Sequence, residues 1–166
     1  MENKVANKAI ETIDLLKLID LKQILGLDFK DFLFQELILK EKDFRSNLKS
    51  FDFSVYQSKL LYLHCSNQAI VPMWAYMLFS SYLSDHKIEH CFANGLEEAI
   101  EFYLIKAINA LDWSVYSDKR VIVKGCGGKI SLGPEVYMLA TEKLQKHAKA
   151  ISYGEACSMV PVFKKI

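Results

Sequence analysis

The chain has little of what usually announces a function. Its four cysteines include no CxxC pair, so no zinc motif is written locally in the sequence. Its 21 Lys and Arg balance 20 Asp and Glu, and no basic block stands out. Nucleic acid is therefore not expected as a partner, because phosphate neutralisation needs a basic face. No apolar run approaches the about 20 residues a bilayer span requires. The longest, over 69–83, is interrupted by Pro72, Ser80 and Ser81. The opening MENKVANKAIETIDLL lacks a cationic segment followed by an unbroken apolar core, so it does not read as a signal peptide. These absences predict a cytoplasmic protein away from the membrane, with its cysteines kept as thiols. The patterns GxxxxGK[ST], GxGxxG and GxSxG are missing too, as is a Ser-His-Asp order. That removes phosphate-loop, dinucleotide and serine-hydrolase chemistry.

What is present is a chain of 166 residues, 51% hydrophobic and 25% charged, enough for one globular domain with its own core. The reading is a helical segment over 1–50 packing on an α/β core over 51–166. Ile10, Ile13, Leu16 and Ile19 recur at helical spacing, with Gly26 as a stop. A second helix is expected from about Asp31 to Leu48. From Lys59 onward, apolar strands over 60–64, 87–93 and 121–123 alternate with helices. These open at Pro72, at Asn94 with Glu97 three residues on, and at Pro134. A fourth strand begins the segment AISYGEACSMVPVFKK. The alternation predicts a four-stranded, mostly parallel sheet flanked by helices, in the order 2-1-3-4.

One phrase occurs twice: FDFSVYQSK over Phe51–Lys59 and LDWSVYSDK over Leu111–Lys119. Asp and Ser favour turns by bonding nearby backbone N–H groups. Each copy is read as an Asp-started turn delivering the chain into a core strand, with Phe53 and Trp113 as core anchors.

In a single parallel sheet, Cys65, Cys126 and Cys157 fall on neighbouring strands near the carboxyl edge, where open α/β sheets bind ligands. The leading expectation is that these three thiols bind zinc, iron or an iron–sulfur cluster. Ser66, Trp74, Gly125, Glu155 and Ser158 would line the same site, the glycines around Cys126 allowing close backbone approach. Cys91 is read as structural, and His64 as facing away from Cys65. Two other classes remain open. One is a thiol enzyme with Cys126 or Cys157 as nucleophile, supported by Glu155 or His64. The other is an interaction protein or homodimer using Phe29, Phe32, Phe34 and Phe44 as an apolar face.

The segments EKDFR (Glu41–Arg45), CSNQAIVPMWAYM (Cys65–Met77), VKGC (Val123–Cys126) and YGEACSMVPVFKK (Tyr153–Lys165) together resemble a bacterial domain-of-unknown-function family, numbered twenty-four eighty. The resemblance covers nearly the whole chain. It implies a pattern containing the cysteines at 65, 126 and 157 but neither Cys91 nor His64. It also implies genes lying beside those for iron–sulfur cluster assembly, and hence assembly proteins as partners. The chain departs from that pattern at Gln68, where an Asp is expected, and at Met73, where a Thr is usual.

Overall fold

The computed structural model describes residues 10–67, 69–125 and 130–165. They form an α/β protein with two sheets rather than one. The chain divides into two compact units, Asp20–Tyr103 and a discontinuous unit made of Met1–Ile19 with Leu104–Ile166.

The unit Asp20–Tyr103 holds a parallel three-stranded sheet. Strand β2 (Ile24–Asp28) and strand β4 (Glu89–Phe92) flank the central strand β3 (Leu60–His64). Helix α1 (Glu41–Ser50) precedes β3, and helix α2 (Met73–Asp85) joins β3 to β4. One sheet face is covered by Phe44 and Leu48 of α1 and by Ala75, Phe79 and Leu83 of α2, which pack with Leu27, Leu61 and Leu63. The centre of this core is aromatic. Phe79 lies 5.6 Å from Phe29, 4.8 Å from Phe32 and 6.3 Å from Phe53, ring centre to ring centre. Helix α3 (Leu96–Ala110) starts with Asn94 donating to Glu98 Oε2, 2.6 Å from its backbone N, one residue beyond the acid the sequence suggested.

In the discontinuous unit, strand β1 (Ile10–Ile13) pairs in parallel with β5 (Arg120–Val123), which pairs with β6 (Ala150–Tyr153). Helix α4 (Pro134–Gln145) links β5 to β6, and β7 (Val160–Lys164) adds antiparallel to β6. The four-stranded, mostly parallel sheet is thus present, but its order is β1-β5-β6-β7, not the expected 2-1-3-4. The strands over 60–64 and 89–92 belong to the other sheet.

The segment over 10–33 also corrects the sequence reading. No helix forms there; the chain runs as strand, 3-10 turn, 3-10 turn, strand and 3-10 turn. The reason is Asp. Asp14, Asp20, Asp28, Asp52 and Asp112 each precede a 3-10 turn and accept the backbone N–H two residues on, at 2.9–3.2 Å. Such side-chain bonds compete with the α-helix. Four of the residues that follow these aspartates, Leu15, Phe29, Phe53 and Trp113, are buried core anchors.

The repeated phrase therefore belongs to a larger repeat. IETIDLLKL over 10–18 and ILGLDFKDF over 24–32 share Ile, a second apolar residue, Asp and two further apolar positions. Ile24 pairs with Leu60, and Ile10 pairs with Arg120, each eight residues beyond its turn's Asp. Ser58 and Asp118 stand at equivalent places with φ of 61° and 59°. The two parallel sheets are built in one order: strand, Asp-capped turn, then a helix (α1 for one, α3, which crosses the unit boundary, for the other), Asp-capped turn, central strand, helix, third strand.

Candidate functional site

The cysteines expected on one sheet fall on elements of both units. Cys65 follows β3 in the three-stranded sheet, whereas Cys157 sits in the β6–β7 connection of the other unit. Their assignment to neighbouring strands of one sheet is overturned. Cys126 lies outside the described residues. Among the described residues, no three His, Cys, Asp or Glu side chains group in a way that holds a metal ion.

Around Cys157 the connection is exposed. Gly154 has φ of +117°, and a Cβ there would meet the Ser158 carbonyl oxygen at 2.9 Å, so the turn requires glycine. Ser158 N–H donates to the Glu155 carbonyl at 2.9 Å, and the Glu155 carboxylate lies 3.8 Å from Lys124 Nζ. At Gly125 a Cβ would come within 3.0 Å of the Tyr153 hydroxyl. Glu155 and Ser158 thus belong to this turn, and Gly125, beyond β5, lies against Tyr153.

The carboxyl edge of β2 and β3 is more elaborately built. Asp28 Oδ1 accepts from Lys30 N–H and from Ser66 N–H, both at 3.1 Å, tying the ends of the two strands together. Burial opposes ionisation of Asp28. The Ser66 side chain and backbone, the Lys30 backbone and the positive character of His64 outweigh it and hold the carboxyl below its ordinary range. Cys65, half-buried, donates its S–H to Asn67 Oδ1 at 3.1 Å and packs on the aromatic core. Asn67 Oδ1 also accepts from Ala69 N–H at 3.2 Å, and its amide donates to the Glu36 carbonyl. Burial, and to a lesser extent Cys65, push the nearby Tyr76 hydroxyl upward. His64 instead stacks toward Tyr62, 5.4 Å between rings, on the alternate strand positions.

Glu36 belongs to a tight loop in which Gln35 and Glu36 adopt φ of 48° and 60°, and Phe34 bridges Ile38. Consecutive non-glycine residues in the left-handed region cost of order 1–3 kcal/mol each and gather at working sites. Beyond Asn67, Ile70 is 91% exposed and Met73 and Met77 stand in solvent on α2. Trp74 turns aside, edge-on to Phe44 at 6.0 Å and under the Arg45 guanidinium at 5.6 Å, in a shallow groove with Glu41 and Met77. The sequence reading missed Asp28, Asn67 and the 34–38 loop. An Asn two residues before an amide it can cap, as Asn67 stands to Ala69, was the available signal.

Two other expectations resolve here. Cys91 is a buried packing residue on β4; burial pushes its thiol up despite a hydrogen bond from Tyr103. Phe29, Phe32 and Phe44 are core, not a partner face, and of the four only Phe34 is exposed.

The family described as "Protein of unknown function (DUF2480)" matches residues 1–165, and the chain belongs to that family. No curated protein and no solved structure matches it.

Proposed function

We propose that this member of the family is a thiol-bearing docking protein whose working face is the carboxyl edge of the three-stranded sheet. One observation carries the reading: the half-buried Cys65, held by Asn67, adjoins a tight loop and is followed along the chain by the exposed apolar residues Ile70 and Met73. Exposed apolar groups gathered at one edge suit contact with another protein. A thiol among them suits a partner that carries a soft ion or a reactive sulfur. The accessory role in iron–sulfur assembly or metal delivery then takes a narrow form. Cys65 offers one thiolate to zinc, iron or a cluster whose other ligands the partner supplies, and the chain itself performs no catalysis.

Site-specific photo-crosslinking in bacterial cells tests this. A crosslinker at Ile70 should trap one discrete partner, and one at the exposed Val115 of the other unit should not. Cys65→Ser should reduce the Ile70 product at least severalfold while leaving the fold intact. Equal products from both positions, or a product indifferent to Cys65→Ser, would remove the basis of the proposal.

A further inference from the structure

In the four-stranded sheet one register row crosses every strand: Ile10 on β1, Arg120 on β5, Ala150 on β6 and Lys164 on β7. Side chains paired across strands stand on the same sheet face. Ala150 is thus flanked by two long cationic side chains, each rooted about 4.8 Å away on the neighbouring strand. Two residues further along the same face come Ile122 and Ser152, also paired. Helix α4 meets the alternate face, where its Tyr137 and Thr141 stand with Val123 and Ile151.

The short side chain of Ala150 leaves a hollow of about 270 Å³ over this row, with all its lining in the discontinuous unit. Arg120 and Lys164 stand at it with a third basic residue, Lys149, and no acid lines it among the described residues. No ion pair among the described residues uses Arg120 or Lys164. The acid next along β1, Glu11, occupies the alternate position opposite Val121 and lies 3.2 Å from Lys119 Nζ. The apolar lining includes the buried Ile122 as a floor and the half-exposed Met159 at the rim. Cations of one sign at a low-dielectric hollow focus their field on it, and an apolar wall with a few polar groups is the usual make-up of a small-molecule site.

We propose that this hollow binds a small organic phosphate monoester, with the phosphate over Ala150 between Arg120 and Lys164. A carboxylate is matched by one guanidinium fork, which takes both of its oxygens. A phosphate monoester carries about −1.5 to −2 charge near neutral pH and a third free oxygen, so it uses the second cation as well. The Ser152 hydroxyl, in the same hollow, is a further donor. The organic body then lies on Ile122 and Met159. It is a single ring or a short chain, because sites for drug-sized ligands run from about 300 to 1,000 Å³. This site is in the other unit from Cys65 and needs nothing of that thiol.

Amide chemical shifts of the isotope-labelled full chain, followed through a titration with phenyl phosphate, test the assignment. The expected result is saturable binding centred on Arg120, Ala150 and Lys164, at least fivefold tighter than that of inorganic phosphate or of benzoate. Arg120→Gln combined with Lys164→Gln should weaken it at least tenfold. Both side chains are exposed, so their replacement keeps the fold. Lys42→Gln combined with Lys49→Gln, the same charge change on exposed positions of α1, should leave the affinity unchanged. Ala150→Leu should abolish binding with both cations kept, by filling the hollow. Absent or unsaturable binding overturns the assignment. So does equal affinity for inorganic phosphate or benzoate, or a loss no greater in the Arg120 and Lys164 variant than in the α1 variant. Cys65→Ser should bind phenyl phosphate as the unaltered chain does, which separates this result from the fate of the docking proposal.

Discussion

Replacing Asp28 with Ala should cost the unit Asp20–Tyr103 more stability than replacing any other turn-capping Asp in it. All of these aspartates accept the N–H two residues on, but Asp28 also accepts the Ser66 N–H from the end of the neighbouring strand. Its side chain is only 14% exposed. Loss of a cap costs about 1 kcal/mol, and loss of a hydrogen bond to a charged acceptor about 1.5–3 kcal/mol. With water partly replacing the carboxylate at this edge, the sum is about 2–3 kcal/mol. Asp52, exposed and bonded only within its own turn, should give a clearly smaller loss. The carboxyl of Asp28 is lowered in the folded state, so its contribution is complete above the ordinary Asp value of about 3.9. It disappears as the pH falls through the lowered native value. Asp28→Asn should accordingly flatten the acid limb of the stability curve below about pH 4. Urea unfolding followed by hydrogen exchange reads the two units separately. An Asp28→Ala loss no greater than that of Asp52→Ala would refute the tie between β2 and β3.

The remaining predictions concern the same unit and the thiols. Gly26 sits under the Tyr62 ring, where a Cβ would approach ring carbon and hydroxyl at 2.7 Å. Gly26→Ala should therefore cost about 1–3 kcal/mol by overpacking. Most of that loss should vanish in a Tyr62→Ala background, and strictly additive losses in a double-mutant cycle would contradict the contact. Among the three described cysteines, alkylation at neutral pH, followed by mass spectrometry, should label exposed Cys157 first, half-buried Cys65 next and Cys91 last. Burial and an upward-pushed thiol both protect Cys91, so early labelling at Cys91 would contradict its packing role.

Much of the second half of the chain was legible because each element carries a local signal. Pro72 and Pro134 stand at helix starts, and the apolar runs at 60–64 and 121–123 lie in strands of ordinary length. Residues 10–33 were not, because Ile10, Ile13 and Leu16 satisfy helical spacing while Asp14, Asp20 and Asp28 break the chain into capped turns. The device was visible at Asp52 and Asp112, where the shared Ser-Val-Tyr made it conspicuous, and passed unseen where Leu15, Leu21 or Phe29 followed the Asp without that phrase. Missing β1 and β2 then forced the other strands into one sheet. Pairing is a long-range choice, and no local pattern says that β1 joins β5 while β2 joins β3. The same error placed Cys65 and Cys157 on one sheet. The position of Cys65 at a strand's carboxyl end was read correctly, but its partner Asn67 depends on how the loop folds back on Glu36.

The discontinuity of one unit has a consequence for the chain as it is made. Strand β1 pairs with β5, Ile13 opposite Val123, and the whole of Asp20–Tyr103 lies between them. At a synthesis rate of about 5–20 residues per second, β1 waits roughly 5–20 s on the ribosome for its mate. The intervening unit has every strand of its own sheet before that moment, and local closure is faster than distant closure. During translation the first of the described strands thus waits longest for its mate, a half-apolar segment that nascent-chain binders would meet first.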